Sequence, residues 1–243
     1  MMMTVVVCAY NEARCIQACL FSLLAQTRLP DEILVVNNAS TDGTAELARA
    51  VPGVRVIDEP TRGLVIARET ARRHARGEIL AYLDADCRAP ICWLERVERR
   101  FEAQPSCLAV TGPYRYYDWD RSGRALLRAY DIVVAVPTHL LVHRVLRLGA
   151  ILYGGNFAVR GESLTSIGGF DRSIEFHGED TNLGRRLTRI GRVALCLDCW
   201  LWTSARRYRA LGKGRVFSLY VRNFLSEVLW HRPADVEHVD VRG

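Results

Sequence analysis

The segment EILAYLDADC (residues 78–87) runs from an apolar stretch straight into two carboxylates one residue apart. Five to six apolar residues bounded by Gly77 on one side and by polar residues on the other read as a buried β-strand. Asp84 and Asp86 then stand where that strand would leave the sheet. Like charges at this spacing repel, and a fold gains little from them. A divalent cation removes the conflict, because hard carboxylate oxygens are its preferred ligands. The plainer alternative is a polar turn closing the strand.

Working outward, the flanking sequence alternates between the two periodicities of an α/β domain. TVVVC (4–8), EILVVN (32–37) and VRVID (54–58) read as strands, and CLAVTGPY (107–114) as another after the opening segment. Between them lie helical spacings: Ile16, Leu20, Leu23 and Leu24 within 13–25, a short helix holding Ala45, Leu47 and Ala48, and helices over 65–75 and 91–103. The second half is less regular. Residues 122–149 read as helical on both sides of Pro137. YGGNFAVRGESLTSIGGFD (153–171) is a glycine-punctuated loop with a short strand and helix. EDTNLGRRLTRIG (179–191) puts Leu183, Leu187 and Ile190 on one helical face, with acids in its first turn where the helix dipole favours them. RVALCL (192–197) is a late strand. Residues 213–230 form an amphipathic helix with Val216, Leu219, Tyr220 and Phe224 on one side. No linker interrupts the chain, which predicts a single domain (1–243) made of a regular α/β half (1–112), a less regular half (113–205) and a helical tail (206–243).

Composition narrows the class. The 243 residues are 49% hydrophobic and 25% charged, as in a globular domain. No window of about 18 residues is free of charge, as a spanning helix requires. The start lacks the basic region and cleavage site of a signal peptide, so the expectation is a cytoplasmic protein with reduced cysteines. Cys196 and Cys199 form a C-x-x-C without a second pair, which does not call for structural zinc. The net charge of +6 is carried by arginine, with Lys213 the sole lysine. Arginine forks suit a diphosphate, and equally anionic lipid or nucleic acid.

In an open α/β sheet, ligands bind beyond the carboxyl ends of the strands. Four polar clusters fall there: Tyr10-Asn11-Glu12, Asn37-Asn38, Arg62 with Arg68, and Asp84-Asp86. Neither G-x-G-x-x-G nor G-x-x-x-x-G-K-[ST] is present, so no glycine-rich cradle holds a nucleotide's phosphates. A metal bridging carboxylates and a diphosphate would take that role.

VVVCAYNEA, EILVVNNASTDGTAE, GLVIARETARRHARGEILAYLDADC, GGNFAVRGESLTSIGGFD and HGEDTNLGRRL occur in that order over roughly residues 4–200. Together they resemble the family 2 glycosyltransferases, inverting enzymes with the glycosyltransferase-A fold. The D-x-D triplet alone is weak; the ordered set is specific. The resemblance implies a mostly parallel, Rossmann-like mixed sheet flanked by helices. It also implies a nucleotide-diphosphate sugar donor of UDP or GDP type, a divalent cation (Mn2+ or Mg2+) and a hydroxyl acceptor, saccharide or lipid-linked, in a setting such as cell-envelope polysaccharide synthesis. By the same resemblance, Ala9, Tyr10 and Glu12 line the nucleoside pocket, and Asn38 stands where the family usually has an acid on the base. Arg68 sits near the nucleotide, followed by Glu69 where Asn is common. Asp84 and Ala85 meet the sugar or ribose, and Asp86, with Asp84, holds the metal. Asp180 is the general base and Glu179 orients the acceptor or caps its helix. Gly154, Gly155 and Asn156 form the loop beneath acceptor and sugar. His177 and the arginines Arg206, Arg207 and Arg209 are further candidates, the arginines for the diphosphate. The chain lacks the Q-x-x-R-W motif of processive synthases, which points to transfer of a single sugar.

Two other readings compete. A sugar-nucleotide pyrophosphorylase would place a glycine-rich, basic loop after the first strand, where this chain has CAYNEA. A non-catalytic module binding anionic lipid or nucleic acid through its arginines leaves HGED and YLDADC unexplained, and nucleic acid is not an expected partner. Segments 126–148 and 213–230 mix apolar residues with arginine. Either they pack on the domain, or they dock peripherally on an anionic membrane.

Overall fold

The computed structural model describes residues 1–174 and 178–231; His177 and the end of the tail lie outside the described residues. The centre is a seven-stranded sheet in the order β3-β2-β1-β4-β7-β5-β8. Its strands are β1 (Met3–Ala9), β2 (Glu32–Asn38), β3 (Val54–Glu59), β4 (Ile79–Asp84), β5 (Cys107–Thr111), β7 (Asn156–Arg160) and β8 (Arg192–Leu195). Only β7 runs against its neighbours. β6 (Tyr114–Tyr116) and β9 (Leu201–Thr203) form a separate parallel pair. This is the mixed, mostly parallel α/β architecture expected from the sequence.

The apolar runs become central strands because both sheet faces are covered. Val5 and Val7 of β1 join one core with Leu20, Leu94 and Phe101. Val6, one residue out of phase, joins the other with Val65, Phe157 and Leu183. The covering helices are α1 (Ile16–Leu24) and α4 (Trp93–Ala103) on the first face. α3 (Leu64–His74) and α7 (Glu179–Thr188) cover the second, and α2 (Thr44–Arg49) and α6 (Gly161–Ser166) are short.

Pro137 does not break the helix predicted around it. One rod, α5 (Arg121–Val145), passes through it. Proline removes a backbone donor and its ring crowds the carbonyl four residues back. The rod accommodates this by widening to π turns at Asp131–Ala135 and Leu140–Val145, on either side of the proline. After α8 (Arg206–Leu211) comes the predicted tail helix, α9 (Lys213–Trp230). Of its expected apolar face, Val216 is buried, Leu219 and Phe224 are half-buried and Tyr220 is exposed, and the polar Asn223, Ser226 and Glu227 are buried alongside with Val228.

Candidate active site

Register brings the candidate residues to one edge. Ala9 pairs with Asn37, Asn37 with Asp58, and Cys8 with Asp84, so β1 to β4 end together. Strand order reverses between β1 and β4, which opens a crevice at their carboxyl ends. β7 runs the other way and starts at Asn156 beside Leu83, so the Gly154–Gly155 turn enters the same crevice.

Those two glycines are where the site closes up. A Cβ at Gly155 would fall 2.0 Å from Asp84 Oδ2, and one at Gly154 would fall 3.1 Å from both Asp180 Oδ2 and Glu179 Oε1. Asp84, from the end of β4, thus faces the acid pair at the start of α7 across a strip of bare backbone. The helix can begin at Glu179 because Gly178 takes a left-handed conformation, φ 87°. Thr181 donates to Asp180 Oδ1 from its backbone nitrogen at 2.7 Å, which leaves Oδ2 turned toward Gly154. Burial pushes both carboxyls of the pair above their ordinary range, and the Asp180 charge raises Glu179 further.

Asp86 lies beside a cation already. Arg206 Nη2 is 3.1 Å from Asp86 Oδ2, and the same guanidinium forks onto Glu12. Thus the end of β1, the end of β4 and the start of α8 share one charge. Arg62 lies over the Tyr10 ring, 4.2 Å from its centroid. Asn11 and Ala39, in the loops after β1 and β2, both take left-handed backbone, φ 50° and 57°, a cost stored where loops are shaped for a purpose.

Some predicted site residues are engaged by other parts of the chain. Arg68 was expected at the nucleotide. It is instead 2% exposed, and its guanidinium donates to Glu179 Oε1 at 2.9 Å and to the Gly154 carbonyl. It fixes the acid pair relative to the glycine strip. Asn38 spends its amide on the loop after β3, accepting from Gly63 N at 2.8 Å and donating to the Thr61 carbonyl at 2.7 Å. Asn156, expected beneath the sugar, is 2% exposed and fully engaged: Trp93 Nε1 donates to it at 3.1 Å, and it donates to the carbonyls of Gly112 and Cys199 at 2.8 and 2.9 Å. Replacing Asn156 with Ala leaves these buried groups without partners. The expected loss is about 3 kcal/mol of folding stability, read by denaturant unfolding. Ala85 is buried behind the aspartates.

Sequence reading missed Tyr114. Its hydroxyl accepts from Gly155 N at 2.7 Å and its ring meets Tyr153 edge-on at 5.6 Å. The signal was the aromatic run YRYYDW after β5, which has no spacing rule of its own. Of the C-terminal arginines, Arg209 is spent on Asp118 at 2.8 Å, and Arg207 donates to the Tyr220 hydroxyl. All eight cysteines are free thiols. Cys196 and Cys199 lie with Asp198, their ligand atoms within 4.8 Å of one another, and Asp198 faces Arg100 at 3.6 Å.

The family model for glycosyl transferase family 2 matches residues 4–168. Among curated proteins, glycosyltransferase AglE of Haloferax volcanii is 41% identical over 100 residues, 38% of this chain and 33% of AglE. The uncharacterized glycosyltransferase YibD of Escherichia coli is 26% identical over 159 residues, 54% of this chain and 46% of YibD. The chain therefore spans a third to under half of these two relatives. Among solved structures, mannosyltransferase PcManGT from Pyrobaculum calidifontis, in complex with GDP-Man and Mn2+, superposes with a TM-score of 0.71 at 26% identity, over 94% of this chain and 63% of that one. Glucosyl-3-phosphoglycerate synthase from Mycobacterium tuberculosis shares the fold, with a TM-score of 0.65 at 21% identity over 95% of this chain and 80% of its own. The matched span takes in the strand edge, both aspartates of the D-x-D and the glycine strip, and with the fold it shares with these solved structures the chain belongs to glycosyl transferase family 2.

Proposed function

We propose that this chain transfers one sugar from a nucleotide-diphosphate donor to a hydroxyl acceptor with inversion, and that the donor is held with the help of a divalent cation. The observation that carries the reading is the meeting of Asp84 with the Glu179–Asp180 pair at Gly154 and Gly155. One carboxylate borders the donor side and the other the acceptor side of a gap without side chains.

The chemistry follows from that placement. An acceptor hydroxyl attacks the anomeric carbon from the face opposite the diphosphate. The new C–O bond forms as the bond to the diphosphate oxygen breaks. Asp180 Oδ2, free toward Gly154, takes the hydroxyl proton as the attack proceeds. Glu179 is held by Arg68 at 2.9 Å, so it positions the acceptor side while Asp180 moves the proton. The products are the glycoside, the nucleoside diphosphate and a protonated Asp180.

The residues fit a cation. Asp84 and Asp86 offer an all-oxygen donor set, and Asp86 already faces positive charge from Arg206 at 3.1 Å. Oxygen ligands of this kind suit Mg2+ or Mn2+. When bound, such an ion neutralises charge on the departing diphosphate. Arg206, now on Asp86 and Glu12, would turn toward the same phosphates. The Mn2+ and GDP-Man held by PcManGT support both the cation and the class of donor. Tyr10, Glu12 and the loop after β1 would line the nucleoside side, with Asn38 acting through the loop that carries Arg62. A saccharide or lipid-linked hydroxyl is the acceptor class this arrangement serves.

The test is stereochemical. With an α-linked nucleotide sugar, proton NMR of the product should show a β-glycosidic bond. An α-linked product would overturn the single-displacement reading, because inversion is what one attack from the opposite face produces.

A further inference from the structure

Two helices on this molecule bury polar groups while leaving large apolar side chains in the open. A helix on a water-exposed surface buries its apolar stripe and exposes its polar one. α5 instead buries Asp131, His139 and His143, alongside Ala135 and Val142, and exposes Ile132, Val133, Leu140 and Leu141. α9 buries Asn223, Ser226 and Glu227 alongside Val216 and Val228, and exposes Phe217, Leu225, Leu229 and Trp230. Exposure reaches 70% at Val133 and 65% at Trp230. The two helices meet at Tyr130 and Phe217, whose rings are 5.9 Å apart, so their outer sides form one face.

The buried polar groups fix this orientation. Asp131 accepts from Arg115 at 2.6 Å and from the Tyr153 hydroxyl at 3.1 Å. His139 bonds the Val193 carbonyl, and His143 bonds Val193 N and Thr188 Oγ1. Glu227 accepts from Arg185 and Asn182, each at 3.0 Å. Rotating either helix to hide its apolar side would strand these groups without partners, at a larger cost than the exposure. An apolar patch held outward in this way marks an interaction surface.

Charge identifies the occupant. Across 121–148 and 213–230 the only acids are Asp131 and Glu227, and both are buried. Arg121, Arg128, Arg144, Arg147, Lys213, Arg215 and Arg222 are exposed, so every exposed charge on the two helices is cationic. Between Arg128 and Arg144 the exposed side of α5 carries no charge. An apolar strip with cations at both ends matches the boundary of an anionic bilayer, acyl chains against the strip and headgroup phosphates against the arginines. We infer that the α5–α9 face docks flat on an anionic lipid bilayer. α5 is long and apolar enough to cross a membrane, but crossing would pull Asp131, His139 and His143 off the domain, so it lies along the surface. Asp131 holds Tyr153, the neighbour of Gly154, which puts the acceptor side of the crevice next to the lipid. The inference stands on the helices alone and is independent of the reaction proposed above.

The test is co-sedimentation of the full chain with phosphatidylcholine vesicles, with and without phosphatidylglycerol. Wild type should pellet with the phosphatidylglycerol vesicles at low salt and release as salt rises. Arg144→Gln with Arg147→Gln should weaken binding roughly five-fold for each charge removed. Ile132→Ser, Val133→Ser and Leu141→Ser together should abolish binding, with the unfolding transition unchanged because all three are exposed. Wild type remaining in the supernatant with both vesicles overturns the proposal, as does a serine variant that binds like wild type. So does a lipid-free dimer that the serine variant converts to monomer, which would name a second copy as the occupant.

Discussion

Asp180→Asn is expected to leave donor binding intact and to lower sugar transfer by roughly 10²- to 10⁴-fold, the range a positioned proton acceptor supplies. The amide keeps the shape, and its oxygen can still accept from Thr181 N, which now bonds Asp180 Oδ1 at 2.7 Å. What it loses is the ability to take the acceptor proton. The pH profile gives a second readout. The carboxyl must be ionised to act, and burial raises its pKa above the ordinary aspartate value of about 3.9. Wild-type transfer should therefore fall on acidification earlier than an unperturbed aspartate would allow, and this acid limb should vanish from the residual activity of Asp180→Asn. Near-normal turnover in the variant would remove Asp180 from the reaction.

Asp86→Ala is the second large effect. It deletes one of the two carboxylates in the D-x-D and frees Arg206 from its 3.1 Å contact, leaving that arginine on Glu12. The half-maximal Mn2+ concentration for transfer should rise by more than the roughly 10- to 100-fold that loss of an outer-shell partner costs. Unfolding should be little changed, since Arg206 keeps both its bonds to Glu12 and the repulsion between neighbouring Asp84 and Asp86 is relieved. An unaltered metal-activation curve would show that the cation does not depend on Asp86.

What the sequence made legible was what local pattern encodes. The parallel strands announce themselves as uninterrupted apolar runs because both faces are covered, as Val5, Val6 and Val7 illustrate. The polar clusters after β1, β2 and β4 share an edge because parallel register leaves them no other place. Contacts between distant segments were not legible. Arg68 and Glu179 are 111 residues apart, and Asn156 reaches Trp93 across 63. An arginine or asparagine in a motif looks the same whether it meets a ligand or ties the frame that holds one. Burial separated the two cases, and only the fold supplies burial. Helix on both sides of Pro137 was legible, but its continuity through the ring was not: proline rules describe α turns, and α5 widens its turns on either side. The outer faces of α5 and α9 stayed open between two readings because amphipathic spacing shows that a helix has two sides without saying which one faces the protein. For α9 the answer hung on Glu227, a charge that spacing alone would have placed in water.

The proposed donor site is this strand edge, binding a nucleoside diphosphate through a divalent cation. Calorimetric titration of UDP and of GDP into the wild-type chain, each with Mn2+ and each with EDTA, tests it most directly. One of the two nucleotides should bind with Mn2+ and lose most of its affinity in EDTA. Absence of binding by both nucleotides in Mn2+, or equal binding in Mn2+ and EDTA, would contradict it.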